Sequence, residues 1–106
     1  MNQTEKTQSF EGSLREFLFD IEDFLSINSA YYTRDLKVIY VQEPQKILTG
    51  YVARGLIEVH NHIFSFRMKY DADSDTIELR SKAFVYYLSS SDLQQFLEYE
   101  RNEGEE

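Results

Sequence analysis

The chain has 106 residues, which fits a single domain. It carries 11 basic and 19 acidic residues, so its formal charge of −8 disfavours binding to long polyanions through net attraction. It contains no cysteine, which excludes disulfides, thiolate metal sites and cysteine nucleophiles. Eight Phe and eight Tyr within a hydrophobic fraction of 42% supply the apolar side chains of a globular core.

The first twenty residues lack the basic and apolar segments of a secretory signal, and no apolar run approaches the length of a membrane span. Together with the missing cysteine, this pattern predicts a soluble cytoplasmic protein without a membrane partner. The charge is unevenly distributed: residues 31–70 have six bases and three acids, whereas the acids concentrate towards the two ends.

A first amphipathic helix is predicted over residues 13–27. Ser13 and Glu16 have the spacing of a capping box. Apolar residues then recur with helical periodicity at Leu14, Phe17, Leu18, Ile21, Phe24 and Leu25. Residues 1–11 and 102–106 are polar and unpatterned, so we expect them to be disordered.

From Leu36 to Tyr87, β-branched and aromatic residues alternate with polar ones, which predicts strands. Leu36–Val41 is the first strand, residues 43–46 break it, and residues 47–60 form one bent strand or two short ones. The apolar residues stand at odd positions before Asn61 and at even positions after it, which predicts a tight hairpin turn there. Asp71–Asp75 are predicted to form a second turn. Thr76–Tyr87 is the last strand.

A second helix is predicted over residues 91–101, with Ser91 as its cap and Leu93, Phe96 and Leu97 as its apolar stripe. The fold class is therefore α+β: a single domain over residues 1–106. It consists of about four antiparallel strands in a meander, covered by an N-terminal and a C-terminal helix.

Glu58, His60 and His62 alternate, so a continuous strand would place them on one face as a ligand set for zinc or iron. The predicted hairpin at Asn61 favours a polar turn instead. Asp71, Asp73 and Asp75 resemble the start of a calcium loop, but Thr76 and Lys82 occupy the positions that need Gly and Glu. We predict no metal and no cofactor.

Catalytic motifs are missing as well: no serine lies in a nucleophile elbow, and the four glycines do not form a phosphate-binding loop. The sequence therefore predicts no enzyme activity. A metal-dependent enzyme or sensor that uses Glu58, His60 and His62 is a remaining alternative.

The sheet face opposite the core is predicted to be basic and partly aromatic. If Phe64, Phe66 and Met68 point inward, the residues between them point outward, with Glu78 as the only acid. Cations beside aromatic rings are typical of single-stranded nucleic-acid binding. The residues of this alternative site are Arg67, Lys69, Arg80, Lys82, Phe84 and Tyr86.

The main functional expectation is a small acidic regulatory module that binds a protein partner. Acidic side chains of the first helix could meet a basic partner, and aromatic residues off the main stripe could form a partner surface or a homodimer seam. This surface comprises Glu16, Phe19, Asp20, Asp23, Tyr31 and Tyr32.

Overall fold

The computed structural model describes residues 9–28 and 36–104. The predicted α+β class is confirmed, because an antiparallel sheet is flanked in the sequence by helices at both ends. In chain order the elements are α1 (Phe10–Phe19), α2 (Ile21–Asn28), β1 (Leu36–Val41), β2 (Gln45–Ile47), β3 (Gly50–Val59), β4 (His62–Asp71), β5 (Thr76–Ser81), β6 (Val85–Leu88) and α3 (Ser90–Gly104).

The single first helix predicted from the sequence is two helices that meet at Asp20. The Asp20 carbonyl accepts hydrogen bonds from the amides of Asp23 at 3.1 Å and Phe24 at 3.3 Å. Asp20 therefore ends α1 and caps α2, in keeping with the preference of Asp for caps over helix interiors. The predicted apolar stripe is confirmed, since all six of its residues are buried.

The predicted cap at Ser13 is wrong, because α1 begins one turn earlier. The Ser9 hydroxyl accepts from the Gly12 amide at 3.0 Å, and Ser13 is buried, with its hydroxyl accepting from Gln94 Nε2 at 3.2 Å. The Phe10 ring lies 4.4 Å from the Tyr70 ring, centroid to centroid. This packing explains why Phe10 and Glu11 are helical although residues 1–11 were expected to be disordered.

The sheet is a meander with the order β1-β3-β4-β5-β6, and β2 pairs with the far end of β3 beside β1. Of the two alternatives for residues 47–60, one bent strand or two short ones, the structure has one long strand, because residues 50–59 form β3 and only Ile47 belongs to the strand before it. Ile47 ends the short strand β2, which turns back into the ten-residue strand β3. The predicted break at residues 43–46 is shorter than expected, because β2 starts at Gln45.

The predicted hairpin at Asn61 is confirmed. His60 and Asn61 both have positive φ, at 52° and 71°, as a two-residue type I′ turn requires. The turn pairs β3 with β4 along ten residues in unbroken register, from Val59↔His62 to Gly50↔Asp71. The second predicted turn is also present, between Asp71 and Thr76.

The last predicted strand, Thr76–Tyr87, is two strands. The Ser81 amide donates to the Phe84 carbonyl at 2.8 Å and closes a turn between β5 and β6. This turn reverses the chain, so that Leu79 lies opposite Tyr86 and Arg80 lies opposite Val85. Residues after the turn therefore face the opposite way from the prediction for a continuous strand.

The cap of α3 is Ser89, two residues before the predicted Ser91. The Ser89 hydroxyl accepts from the Asp92 amide at 3.1 Å, and the Asp92 carboxylate accepts from the Ser89 amide at 3.0 Å. This is a reciprocal capping box. The helix continues to Gly104, past the predicted end at residue 101.

The core lies between one face of the sheet and the three helices. Sheet residues such as Ile57, Phe66, Met68 and Leu79 are at most 2% exposed and belong to one cluster with the apolar stripes of the helices. Edge-to-face aromatic contacts join α1, α2, α3 and β6 at the centre of this layer. Their ring centroids are 5.2 Å apart for Phe17–Phe24, 5.8 Å for Phe17–Phe96 and 5.7 Å for Phe24–Tyr86.

Candidate interaction face on the sheet

The second face of the sheet carries polar and charged side chains, because successive strand residues point to opposite sides. We call its central part the open face. It consists of the outward residues of β3, β4, β5 and β6 around the middle of the sheet, together with Lys82 after β5. These residues are Val52, Arg54, Leu56, Glu58, Ile63, Ser65, Arg67, Lys69, Glu78, Arg80, Lys82, Val85 and Tyr87.

A row of three arginines crosses the open face. Arg54 on β3 lies opposite Arg67 on β4, and Arg67 lies opposite Arg80 on β5. Neighbouring strands are about 4.8 Å apart, so three cationic side chains start from a line about 10 Å long. Like charges placed directly opposite each other destabilise a sheet.

One carboxylate partly offsets this repulsion. Glu78 lies beside the row and forms ion pairs with Arg80 at 2.7 Å and with Arg67 at 3.3 Å. The hydrogen bond from Arg80 is the main reason why the pKa of Glu78 lies below its ordinary value, and Arg67 adds to the effect. The hydrogen bond to Glu78 in turn raises the pKa of Arg80.

The charge of the row is not fully compensated. Within residues 9–28 and 36–104, no acidic side chain lies within ion-pair distance of Arg54, Lys69 or Lys82. On the open face five cationic side chains therefore accompany two carboxylates, Glu58 and Glu78, and of these only Glu78 pairs with the arginine row among the described residues. Arg67 also has a buried Nε atom without a hydrogen-bond partner, a feature that calls for an explanation in a folded protein.

The prediction that Phe84 and Tyr86 belong to the basic face is wrong. Phe84 is only 9% exposed, and the Tyr86 ring packs against Phe24 on the helix side of the sheet. The Tyr86 hydroxyl donates to the Asn28 carbonyl at 2.8 Å. The physical reason is the turn at residues 82–84. It exchanges the two faces of β6, so that Tyr86 lies on the helix side and Val85 on the open face.

The sequence analysis missed Arg54 and Tyr87. Arg54 is six residues before His60 and Arg67 is six residues after Asn61, so the predicted hairpin already implied that the two are paired. Tyr87 is 61% exposed, and its hydroxyl lies 3.3 Å from Arg80 and 3.4 Å from Glu78. No comparable signal indicated Tyr87, because its orientation depends on the turn between β5 and β6.

Only part of the partner surface that was predicted around the first helix lies within the residues that the structure describes. Phe19 is 88% exposed, and Asp20 and Asp23 lie close to it in the sequence. Burial, followed by the charges of Asp23 and Glu16, raises the pKa of Asp20. Glu16 lies 3.8 Å from Arg101 of α3. Tyr31 and Tyr32 are outside the described residues.

The structure does not assemble the metal site considered for Glu58, His60 and His62. Glu58 lies on the same face as Lys37 and Ile63, whereas His62 pairs with the inward residue Val59 and His60 lies in the turn. In the described part of the chain, no three His, Cys, Asp or Glu side chains are grouped to hold a metal ion.

The acidic turn has structural partners. The Asp71 carboxylate accepts from the Asp73 amide at 3.0 Å. Asp75 accepts from the Tyr70 hydroxyl at 3.0 Å and from the Ser90 hydroxyl at 3.1 Å. The bonds from Ser90 and Tyr70 lower the pKa of Asp75. They tie the turn between β4 and β5 to the start of α3.

Comparison with known proteins gives no similarity: no family model, no curated protein and no solved structure matches this chain. In the described residues, no helix combines the length and the apolar character needed to cross a membrane.

Proposed function

We propose that this protein is a non-enzymatic binding module that holds an acidic segment of a protein partner on its open face. The observation that carries the proposal is the arginine row of Arg54, Arg67 and Arg80, which none of the three described helices covers. Opposed like charges cost stability, so a partner that supplies anions would relieve this cost. The protein partner expected from the sequence is retained in this proposal, but its binding surface is the sheet and not the first helix.

The apolar residues of the same face favour a protein partner. Leu56 is 37% exposed, Val85 42% and Ile63 63%, and all three lie around the arginine row. Aliphatic side chains next to arginines are typical of protein interfaces, where the apolar groups supply burial and the charges supply orientation.

The open face has fewer features of a single-stranded nucleic-acid site than the sequence predicted. Binding of this kind uses aromatic rings on which bases stack. Phe84 and Tyr86 lie on the helix side, and the hydroxyl of Tyr87 is engaged with Arg80 and Glu78. The face thus retains the cations but loses two of the stacking residues on which that alternative depended.

The distribution of charge also favours the open face as the surface that an acidic partner approaches. Acidic residues are concentrated in the helical layer, where Glu11, Glu16, Glu22, Asp23, Asp92 and Glu98 lie. An acidic segment is repelled from that layer and attracted to the open face, which steers the encounter.

Fluorescence anisotropy tests the proposal with two labelled probes at low salt: a peptide of alternating Glu and Leu, and a mixed-sequence DNA single strand. We expect the peptide to bind, and Arg54→Ala or Arg80→Ala to weaken it about tenfold, or about 1.4 kcal/mol. Lys46→Ala is the matched control, because Lys46 is exposed and pairs with Tyr51, on the opposite face. We expect this variant to bind as the wild type does.

Two outcomes would overturn the proposal. Tighter binding of the DNA strand, with the same sensitivity to Arg54→Ala, would favour the nucleic-acid function. Failure of both probes to bind at high micromolar protein would remove the open face as an anionic binding surface.

A further inference from the structure

The arginine row borders a surface depression of about 770 Å³, open to solvent, where β5 turns towards β6. Arg54, Arg67, Arg80 and Lys82 line it, together with the hydroxyl residues Ser65 and Ser81. No carboxylate is among its lining residues. The depression therefore gathers four cations and two hydroxyls, all of which can donate hydrogen bonds.

The donors of this depression are only partly used within the chain. The Glu78 carboxylate accepts hydrogen bonds from one nitrogen of Arg67 and from two nitrogens of Arg80. The side chains of Arg54 and Lys82 have no ion pair among the residues that the structure describes. Arg67 Nε is buried without a partner. Apart from the buried Nε of Arg67, the guanidinium groups and Lys82 thus retain donors for a further anion.

We propose that the depression binds a phosphorylated side chain of the protein partner, a phosphate monoester. This inference rests on the proposed function and adds the chemical group that the open face recognises. A phosphate monoester carries a charge of about −1.5 to −2 at pH 7 and three acceptor oxygens, so it can accept from several guanidiniums at once. A carboxylate has half the charge and two oxygens, and one arginine satisfies it in bidentate fashion.

The arrangement of the arginines suits this group better than a nucleic-acid backbone. Phosphodiesters carry one charge each and are spread along a chain, whereas here three arginines on neighbouring strands line one depression. Arginine binds phosphate through its planar fork, and lysine acts as a point charge. The number of arginines at one place therefore indicates a compact dianion.

The test compares three peptides of identical Glu-Leu-rich sequence with Ser, Glu or phosphoserine at the centre, measured by anisotropy against the full chain. We expect phosphoserine to bind at least tenfold more tightly than Ser, and Glu to lie between them. Arg54→Ala should abolish most of this preference. The Arg54 side chain is exposed and forms no ion pair with another described residue, so the variant should keep the wild-type circular dichroism spectrum, and Lys46→Ala should keep the preference.

A conservative variant and pH separate phosphate recognition from simple charge. Arg54→Lys keeps the charge but loses the fork, so it should weaken binding of both peptides, and of the phosphoserine peptide several-fold more than of the Glu peptide, because the phosphate accepts from several guanidiniums at once. The preference should also fall as pH drops through about 6, where the phosphate becomes a monoanion, while binding of the Glu peptide stays constant.

Each contrary outcome has a separate meaning. Equal affinity for the phosphoserine and Glu peptides would overturn the phosphate site and leave the proposed function intact. Failure of all three peptides to bind would overturn both. Inorganic phosphate that displaces the phosphopeptide with the affinity of the peptide itself would show a site for a free phosphate compound and overturn the partner's role.

Discussion

The two faces of the sheet differ in how their side chains are balanced. On the covered face, Phe66, Met68 and Leu79 are almost fully buried among apolar neighbours, and burial itself supplies the stabilisation. On the open face, Arg54, Arg67 and Arg80 oppose one another, with Glu78 as their only ion-pair partner among the described residues. One face therefore maintains the fold, while the other retains an unbalanced positive charge that a ligand can neutralise.

The largest expected effect comes from truncating the covered face. Phe66→Ala and Leu18→Ala should each lower the free energy of unfolding by about 2–5 kcal/mol, because both side chains are 2% exposed and leave a cavity. Ile63→Ala on the open face is the control, with an expected change within about 0.5 kcal/mol. Urea denaturation monitored by circular dichroism measures all three. Equal midpoints for Phe66→Ala and Ile63→Ala would contradict the assignment of the two faces.

Added volume should also distinguish the faces. A Cβ atom at Gly55 would lie 2.6 Å from carbons of the Phe66 ring and would also meet the Tyr40 carbonyl. Gly55→Ala should therefore cost about 1–3 kcal/mol, the usual range for overpacking. Ser65→Ala, on an exposed position of β4, should change stability by less than about 0.5 kcal/mol. Thermal unfolding of both variants decides this, and an unchanged midpoint for Gly55→Ala would show that the ring has room to move.

The cover of the sheet can be weakened at the start of α3. Ser89→Ala removes the hydroxyl that accepts from the Asp92 amide, so a loss of about 1 kcal/mol is expected. Ser91 is the second residue of α3 and not its cap, so Ser91→Ala should change stability very little. Denaturant midpoints of the pair test the position of the cap, and a larger loss for Ser91→Ala would restore the cap predicted from sequence.

The smallest effect concerns Glu78 on the open face. The folded state holds the pKa of Glu78 below its ordinary value of 4.5, so its contribution to stability is present above that pH and disappears as pH falls through the lower folded value. At pH 7, Glu78→Gln should cost about 0.2–1 kcal/mol. The difference between the wild type and the variant should close below pH 4.5.

A second measurement on the same variant sharpens the comparison. Glu78→Gln removes the carboxylate that pairs with Arg67 and Arg80, so the affinity for the Glu-Leu peptide should rise although stability falls. Weaker peptide binding would indicate that Glu78 positions Arg67 and Arg80 for the ligand rather than competing with it.

Periodicity and turn chemistry account for most of what the sequence could predict. The parity change around Asn61 located the β3–β4 turn and, with it, the inward positions of Phe66 and Met68. The turn at residues 82–84 could not be found in the same way, because its one turn-forming residue is Ser81, whose hydroxyl accepts from the Ala83 amide at 3.2 Å, and serine marks chain reversal more weakly than Asn or Asp. The break at Asp20 escaped detection for a different reason, since the apolar stripe continues through it without a change of period.

The same turn explains why the candidate site was predicted only in part. Arg67, Lys69 and Arg80 come before residue 82, and their outward orientation follows from local alternation. Phe84 and Tyr86 come after it, so an error at one turn moved both to the wrong face. The depression beside Lys82 depends on how three strands meet, which is tertiary information that no single segment contains.

The contact between α2 and β1 bears on how the protein behaves at high concentration. The Val38 amide in β1, at one edge of the sheet, donates to Glu22 Oε1 at 2.9 Å instead of to another strand. At the opposite edge, β6 is only four residues long. Free edge groups are templates for strand addition between chains. With one edge partly occupied by a helix side chain and the other short, edge-to-edge aggregation is disfavoured, and Glu22→Ala should speed the growth of light scattering in concentrated solution.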